Sequence, residues 1–261
     1  MLDVHPPQHT PHGWRDFFIH IATICIGLLI AVGLEQGIEA LHHRHQRHEL
    51  EVQLHDEAQR NLDLTLGNLA RLTDRIHWLD ATIVALNAAP VTANHIPLSV
   101  IPGAGKVFDV GLYDPSQAVW AVAKANGTVA LLPEEEAQVY ARLDHEGDEL
   151  LLGGHDLTRA FGEVLTFREA FGGVNGSQSA SVSPEVRDTL VHAFAALDTQ
   201  TKQTINLELN EAGSCRGVLN GAKSVNEMLQ YMTRESDEYI AQHPQEVQRA
   251  EEQKAPSPLL Q

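Results

Sequence analysis

Hydrophobic positions along the chain follow three successive rhythms. Phe17–Leu34 is eighteen mostly apolar residues whose one strong polar break, His20, falls in the first turn. As a helix rising ~1.5 Å per residue it would cover ~27 Å, close to the ~30 Å hydrocarbon core of a bilayer. Trp14 and Arg15 flank one end and Glu35, Glu39, Arg44 and Arg47 the other, as side chains at headgroup depth do. A cleaved leader would call for a shorter apolar run, a more basic start and a small-x-small site. Only Ala31-Val32-Gly33 approximates that site, and Arg15 alone precedes the run. The pattern predicts a retained transmembrane helix at 17–34, preceded by a His- and Pro-containing tail at 1–16.

The second rhythm is polar. Residues 35–61 show no apolar stripe and read as a solvated helical neck. The third begins at Leu62: Leu62, Leu69, Ile76 and Ile83 recur every seven residues, with Leu72, Leu79 and Leu86 between them and Thr65 as the one interruption. This is an a/d heptad seam. Pro90 is the first proline after Pro11, so span, neck and seam read as one helix of ~70 residues, about 105 Å long. Its seam must be buried either by a second copy or by later helices of the chain.

Ala89–Tyr113 carries Pro and Gly without a helical period, which suits a packed irregular segment or a functional loop. Asp114-Pro115-Ser116-Gln117 then reads as an N-cap, a first-turn Pro and a capping-box Gln opening a short helix that stops at Asn126-Gly127. Pro133 and Glu134–Glu136 start a helix with the stripe Tyr140, Leu143, Leu150, Leu157, Phe161, Val164 and Phe171. Gly147 and Gly154 share its seam. Gly172–Ser181 is flexible by composition. Ser183-Pro184 caps a last long helix with Leu190, Phe194, Leu197, Ile205, Leu209, Leu219 and Leu229 on one side. Gly213, Gly217 and Gly221, four residues apart, read either as a groove for a neighbouring helix or as a break near Gly213. The expected fold is all-α: a transmembrane helix continuing into a long helix that packs in an antiparallel bundle at 62–240, with a disordered tail at 241–261.

Charge narrows the partners. The 261 residues carry a net charge of −17, and no basic patch stands apart from the acid. Nucleic acid is therefore excluded as an expected partner. Arg44 and Arg47 outnumber Arg15, a margin that leans toward a cytoplasmic body but leaves the side undecided. Thr23, Gly27 and Ala31 form a small-residue face, with Gly33 and Gly37 at its edge. Together with the Leu62–Leu86 heptads it offers a homodimer seam, although small residues are also ordinary span composition.

Nine of the fifteen histidines precede residue 56. His5, His9 and His12 lie before the span. His42, His43, His45, His48 and His55 lie just past it. Glu39, His42, His45 and His48 have the spacing of carboxylate–histidine ligands for zinc or nickel. One helix offers about two ligands to one ion, so such a site would need two necks side by side. Imidazoles also suit the headgroup zone with no metal, and that simpler reading assigns no cofactor. Catalytic templates fail: Pro102–Val107 lacks the first Gly and the hydroxyl of a phosphate loop, and Gly213–Gly217 has the wrong register for a nucleophile elbow. Cys215 beside Arg216 fits a lowered thiol pKa or, more simply, a buried helix cysteine. With only two cysteines, Cys25 in the span and Cys215 far from it, a disulfide scaffold is excluded.

Trp14, Asp16, Phe17, His20, Ile26–Ala31, Leu34, Glu35 and His42–His45 form a pattern that resembles bacterial single-pass membrane proteins with a helical domain of unknown function. PSQAVWAVAKANGTVALL is similar to the aromatic-plus-small helix and Gly turn of such domains. The resemblance implies a bacterial inner-membrane protein with a helical body and carries no catalytic residues. The expected role is a non-enzymatic interaction or scaffold protein. The alternatives are a metal- or pH-responsive sensor using the neck histidines, then a membrane-bound enzyme using the loop near Gly103–Asp109.

Overall fold

The computed structural model describes residues 13–89, 96–97, 112–167 and 181–244. Of the expected tails, 1–12 and 245–261 lie outside the described residues, as do Phe171 and most of 89–113 and 172–181, whereas Trp14–Asp16 and Ala241–Gln242 are helical. Helix α1 spans Trp14–Ala88. It is followed by β1 (Ile96–Pro97), α2 (Ala118–Asn126), a 3-10 turn (Thr128–Leu131), α3 (Glu134–Leu165), β2 (Ser181–Val182), α4 (Pro184–Leu219) and α5 (Val225–Gln242). The strands form one antiparallel pair, Ile96 with Val182 and Pro97 with Ser181. Among the described residues the rest of the core is helical, apart from Ala89 and Leu132.

The chain divides into two units, residues 1–50 and 51–261. In the first, Trp14–Leu34 lies on helix with every side chain exposed, and this is the one stretch among the described residues long and apolar enough to cross a membrane. The Thr23 hydroxyl donates to the Ile19 carbonyl at 2.8 Å, so its polar group is satisfied within the helix.

The second unit is a helical bundle. The heptad seam fills its apolar half: Leu69, Leu72, Ile76, Leu79 and Leu86 pack with Leu157, Phe161 and Val164 of α3 and Leu190, Phe194, Leu197 and Ile205 of α4. Later helices of the same chain thus occupy the seam, so a homodimer through Leu62–Leu86 would have to displace this core. Burial on α1 also begins ahead of Leu62, with Leu54, Glu57, Ala58 and Asn61 buried in what the sequence pattern marks as neck.

Helix ends show where sequence signals acted. Ser183 caps α4 by accepting from the Val186 amide, with Pro184 in the first turn. The glycine repeat resolves into two roles. Helix α4 runs unbroken through Gly213 and Gly217 and stops just before Gly221, whose φ of +73° is the left-handed conformation glycine tolerates. The amides of Ala222 and Gly221 donate to the carbonyls of Gly217 and Val218, a Schellman closure. Helix α5 then returns antiparallel, placing Met232 over Gly213 and Met228 over Gly217. This turn resets the helical phase, so Leu229 is exposed and Met228 and Met232 take the buried face instead.

Candidate functional site: a buried polar seam

Beyond this apolar cluster the bundle also buries a line of polar side chains. Glu57, Asn61, Thr65 and Asn68 recur at intervals of three or four and share one face of α1. Thr201, Thr204, Glu208, Glu211 and Ser214 do the same on α4. All nine are buried, and α3 adds buried Glu146.

Asn68 joins the two stripes. Its amide nitrogen donates to Glu208 Oε1 and to the Tyr113 carbonyl, both at 2.8 Å, while its oxygen accepts from the Tyr113 amide at 3.1 Å. Asn61, two turns earlier, repeats the pattern with Ser116: it donates to the carbonyl at 2.8 Å and accepts from the amide at 2.9 Å. The two asparagines staple the 112–117 segment onto α1. Glu57 completes the row, with Oε1 accepting from the Ser116 hydroxyl at 2.9 Å and the Val119 amide at 3.1 Å. Sequence signals placed the cap of α2 at Asp114. The helix instead starts at Ala118, its N-cap Gln117 makes no side-chain cap, and Glu57 supplies the acceptor. The Gln117 side chain is committed elsewhere, donating to the Asp144 carbonyl at 2.8 Å over Gly147. A Cβ on Gly147 would strike Gln117 Nε2.

Glu57, Asn61, Trp120, Tyr140 and Glu211 line a cavity of about 20 Å³, whose wall reaches exposed Ser116. That is room for one water molecule. Glu208 and Glu211 are each 1 % exposed, and Oε2 of each has no hydrogen-bond partner. Burial disfavours their charged forms and pushes both carboxyls up to about 8. Hydrogen bonds from Asn68 and Thr65 to Glu208, and from Cys215 and Asn61 to Glu211, oppose this in part. By contrast Glu146 is ion-paired with Arg142, and Asp144 with Lys124 at 2.8 Å.

Cys215 is buried, and its thiol donates to Glu211 Oε1 at 3.6 Å. Burial, then the neighbouring carboxyls, raise its pKa well above the usual thiol value. The adjacent Arg216 does not lower it, because that guanidinium pairs with Glu235 at 2.6 Å. Cys215 is a core residue.

The histidine neck lies on α1, with Glu39, His42, His43, His45 and His48 all exposed. At ~100° per residue, Glu39, His42, His45 and His48 march around the helix rather than converge. Among the described residues no three His, Cys, Asp or Glu side chains are grouped to hold a metal. A zinc or nickel site there would still need a second neck. Comparison with protein-family models, curated proteins and solved structures returns no match.

Proposed function

We propose that this chain is a single-pass protein of the bacterial inner membrane whose helical body serves as an interaction or scaffold module rather than an enzyme. The carrying observation is the fully exposed apolar run at 17–34. Left in water, a side chain such as Leu or Ile would forgo ~1.5–3 kcal/mol of burial, and a stretch this long repeats that loss many times over. A bilayer removes the cost.

The interaction role rests on the body's interior. Its seam residues are spent on packing and on stapling the 112–117 segment, and the cavity beside Glu211 is far smaller than the several hundred Å³ of a small-molecule pocket. The span is proposed to pair with a second copy through Thr23, Gly27 and Ala31, small exposed residues on one helix face that would let two helices approach closely.

Alkaline carbonate extraction of native membranes, with amino-terminal sequencing of the retained chain, tests the anchor. The expected result is full-length protein in the pellet. Soluble protein, or a chain starting near Leu34, would replace the anchor with a leader. Crosslinking of the anchored protein in its own membrane tests the module: partner bands should disappear on unfolding of the body, and a body that captures nothing would sink the scaffold role.

A further inference from the structure

We propose that Glu208 and Glu211 form a proton-binding pair that holds α4 against α1 and α3 when neutral and loosens it when both ionise, so that the body responds to proton activity. The inference stands on residues 51–261 alone and does not depend on the anchor.

The geometry has three parts. The two carboxyls lie one turn apart on the same face of α4, where two charges would repel. Each keeps one buried oxygen without a partner, an arrangement far costlier for a carboxylate than for a neutral acid. The cavity beside Glu211 admits one water and reaches exposed Ser116, which gives a proton a route to solvent.

The charged groups around the pair do not neutralise it. From α1 come Glu57 and the amides of Asn61 and Asn68, with Arg71 bonded to Asn68 at 3.2 Å. The 112–117 segment brings Asp114, which raises Glu208 further. Helix α3 presents Glu146, already paired with Arg142, and α5 presents Glu235, already paired with Arg216. Cys215 on α4 itself donates to Glu211. The nearby cations are thus engaged with other partners.

The sign follows from linkage. In the unfolded chain a Glu titrates near 4.5, whereas in the folded body both sit at about 8. The folded state therefore keeps protons that the unfolded state has shed. The stabilisation is complete below about pH 4.5, is lost progressively as pH rises through about 8, and levels off above. Each group contributes at most about a tenfold fall in the folding constant per pH unit within that window.

The test is the thermal midpoint of the full-length protein in detergent micelles across about pH 5 to 9.5, compared between wild type, Glu208→Gln/Glu211→Gln and His42→Gln/His45→Gln/His48→Gln. The wild-type midpoint should fall as pH rises toward about 8, the glutamine pair should flatten that slope, and the histidine variant should keep it. A glutamine pair with the wild-type slope overturns the proposal, as does a slope lost with the histidines. Infrared spectroscopy of the wild type gives an arm that needs no variant. A protonated-carboxyl band should persist at about pH 7 and vanish above about pH 9. Its absence at about pH 6 would also overturn the proposal.

Discussion

A Cβ added to Gly213 would fall 2.7 Å from the backbone nitrogen of Met232 and against its Cα as well. The α4–α5 hairpin is thus closed by backbone lying on a bare α-carbon, and main chain cannot swing aside as a side-chain tip can. Gly213→Ala is expected to destabilise the body by ~1–3 kcal/mol, the usual cost of overpacking. Gly217→Ala should cost less, because the first obstacle is the Met228 side chain at 3.3 Å. Gly154→Ala should be neutral or stabilising by up to ~1 kcal/mol, since nothing lies within 4 Å and alanine favours helix. Denaturant unfolding of the three variants checks the order; equal losses would contradict it.

Asn61 and Asn68 each hold both the amide and the carbonyl of a residue in the 112–117 segment. Truncating either to alanine removes two part-buried hydrogen bonds to the segment, worth ~0.5–1.5 kcal/mol each. The effect should be local before it is global. Amide exchange at Ser116 should speed up in Asn61→Ala, and exchange at Tyr113 in Asn68→Ala. Exchange rates indifferent to both substitutions would show that other contacts hold the segment.

If the span pairs through Thr23, Gly27 and Ala31, a cysteine at 23 should form a disulfide dimer in membranes when Cys25 is replaced by serine. Two residues along a helix turn the side chain by ~200°, so native Cys25 points away from that interface. Crosslinking through Cys25 but not through Thr23→Cys would place the contact on the opposite face. A monomer with both would remove the dimer.

Much of the body was legible in the chain because one repeating signal, Leu62 to Leu86, marks a buried face without reference to its partner. The Ser183-Pro184 start of α4 was equally plain, being a local hydrogen bond and a local φ. The glycines were not, since Gly213, Gly217 and Gly221 look alike until one of them takes positive φ. The polar seam was hidden for another reason. Glutamates on a helix ordinarily face solvent, and only the spacing of Glu208 and Glu211 with Thr201, Thr204 and Ser214 marks them as one face. Thr65, standing where the heptad wants a leucine, was the available clue on α1, because it faces Glu208 across the seam.

The carboxylate that caps α2 belongs to Glu57, sixty-two residues away along the chain from the Val119 amide it accepts. A nine-residue helix is too short to persist by itself in water. Its own flanking residue, Gln117, offers no cap. Helix α2 therefore has nothing to nucleate on until α1 has formed and the intervening chain has closed on it. In a refolding experiment it should be among the last elements to gain amide protection, its burial of Trp120 trailing the collapse of α1 with α3 and α4.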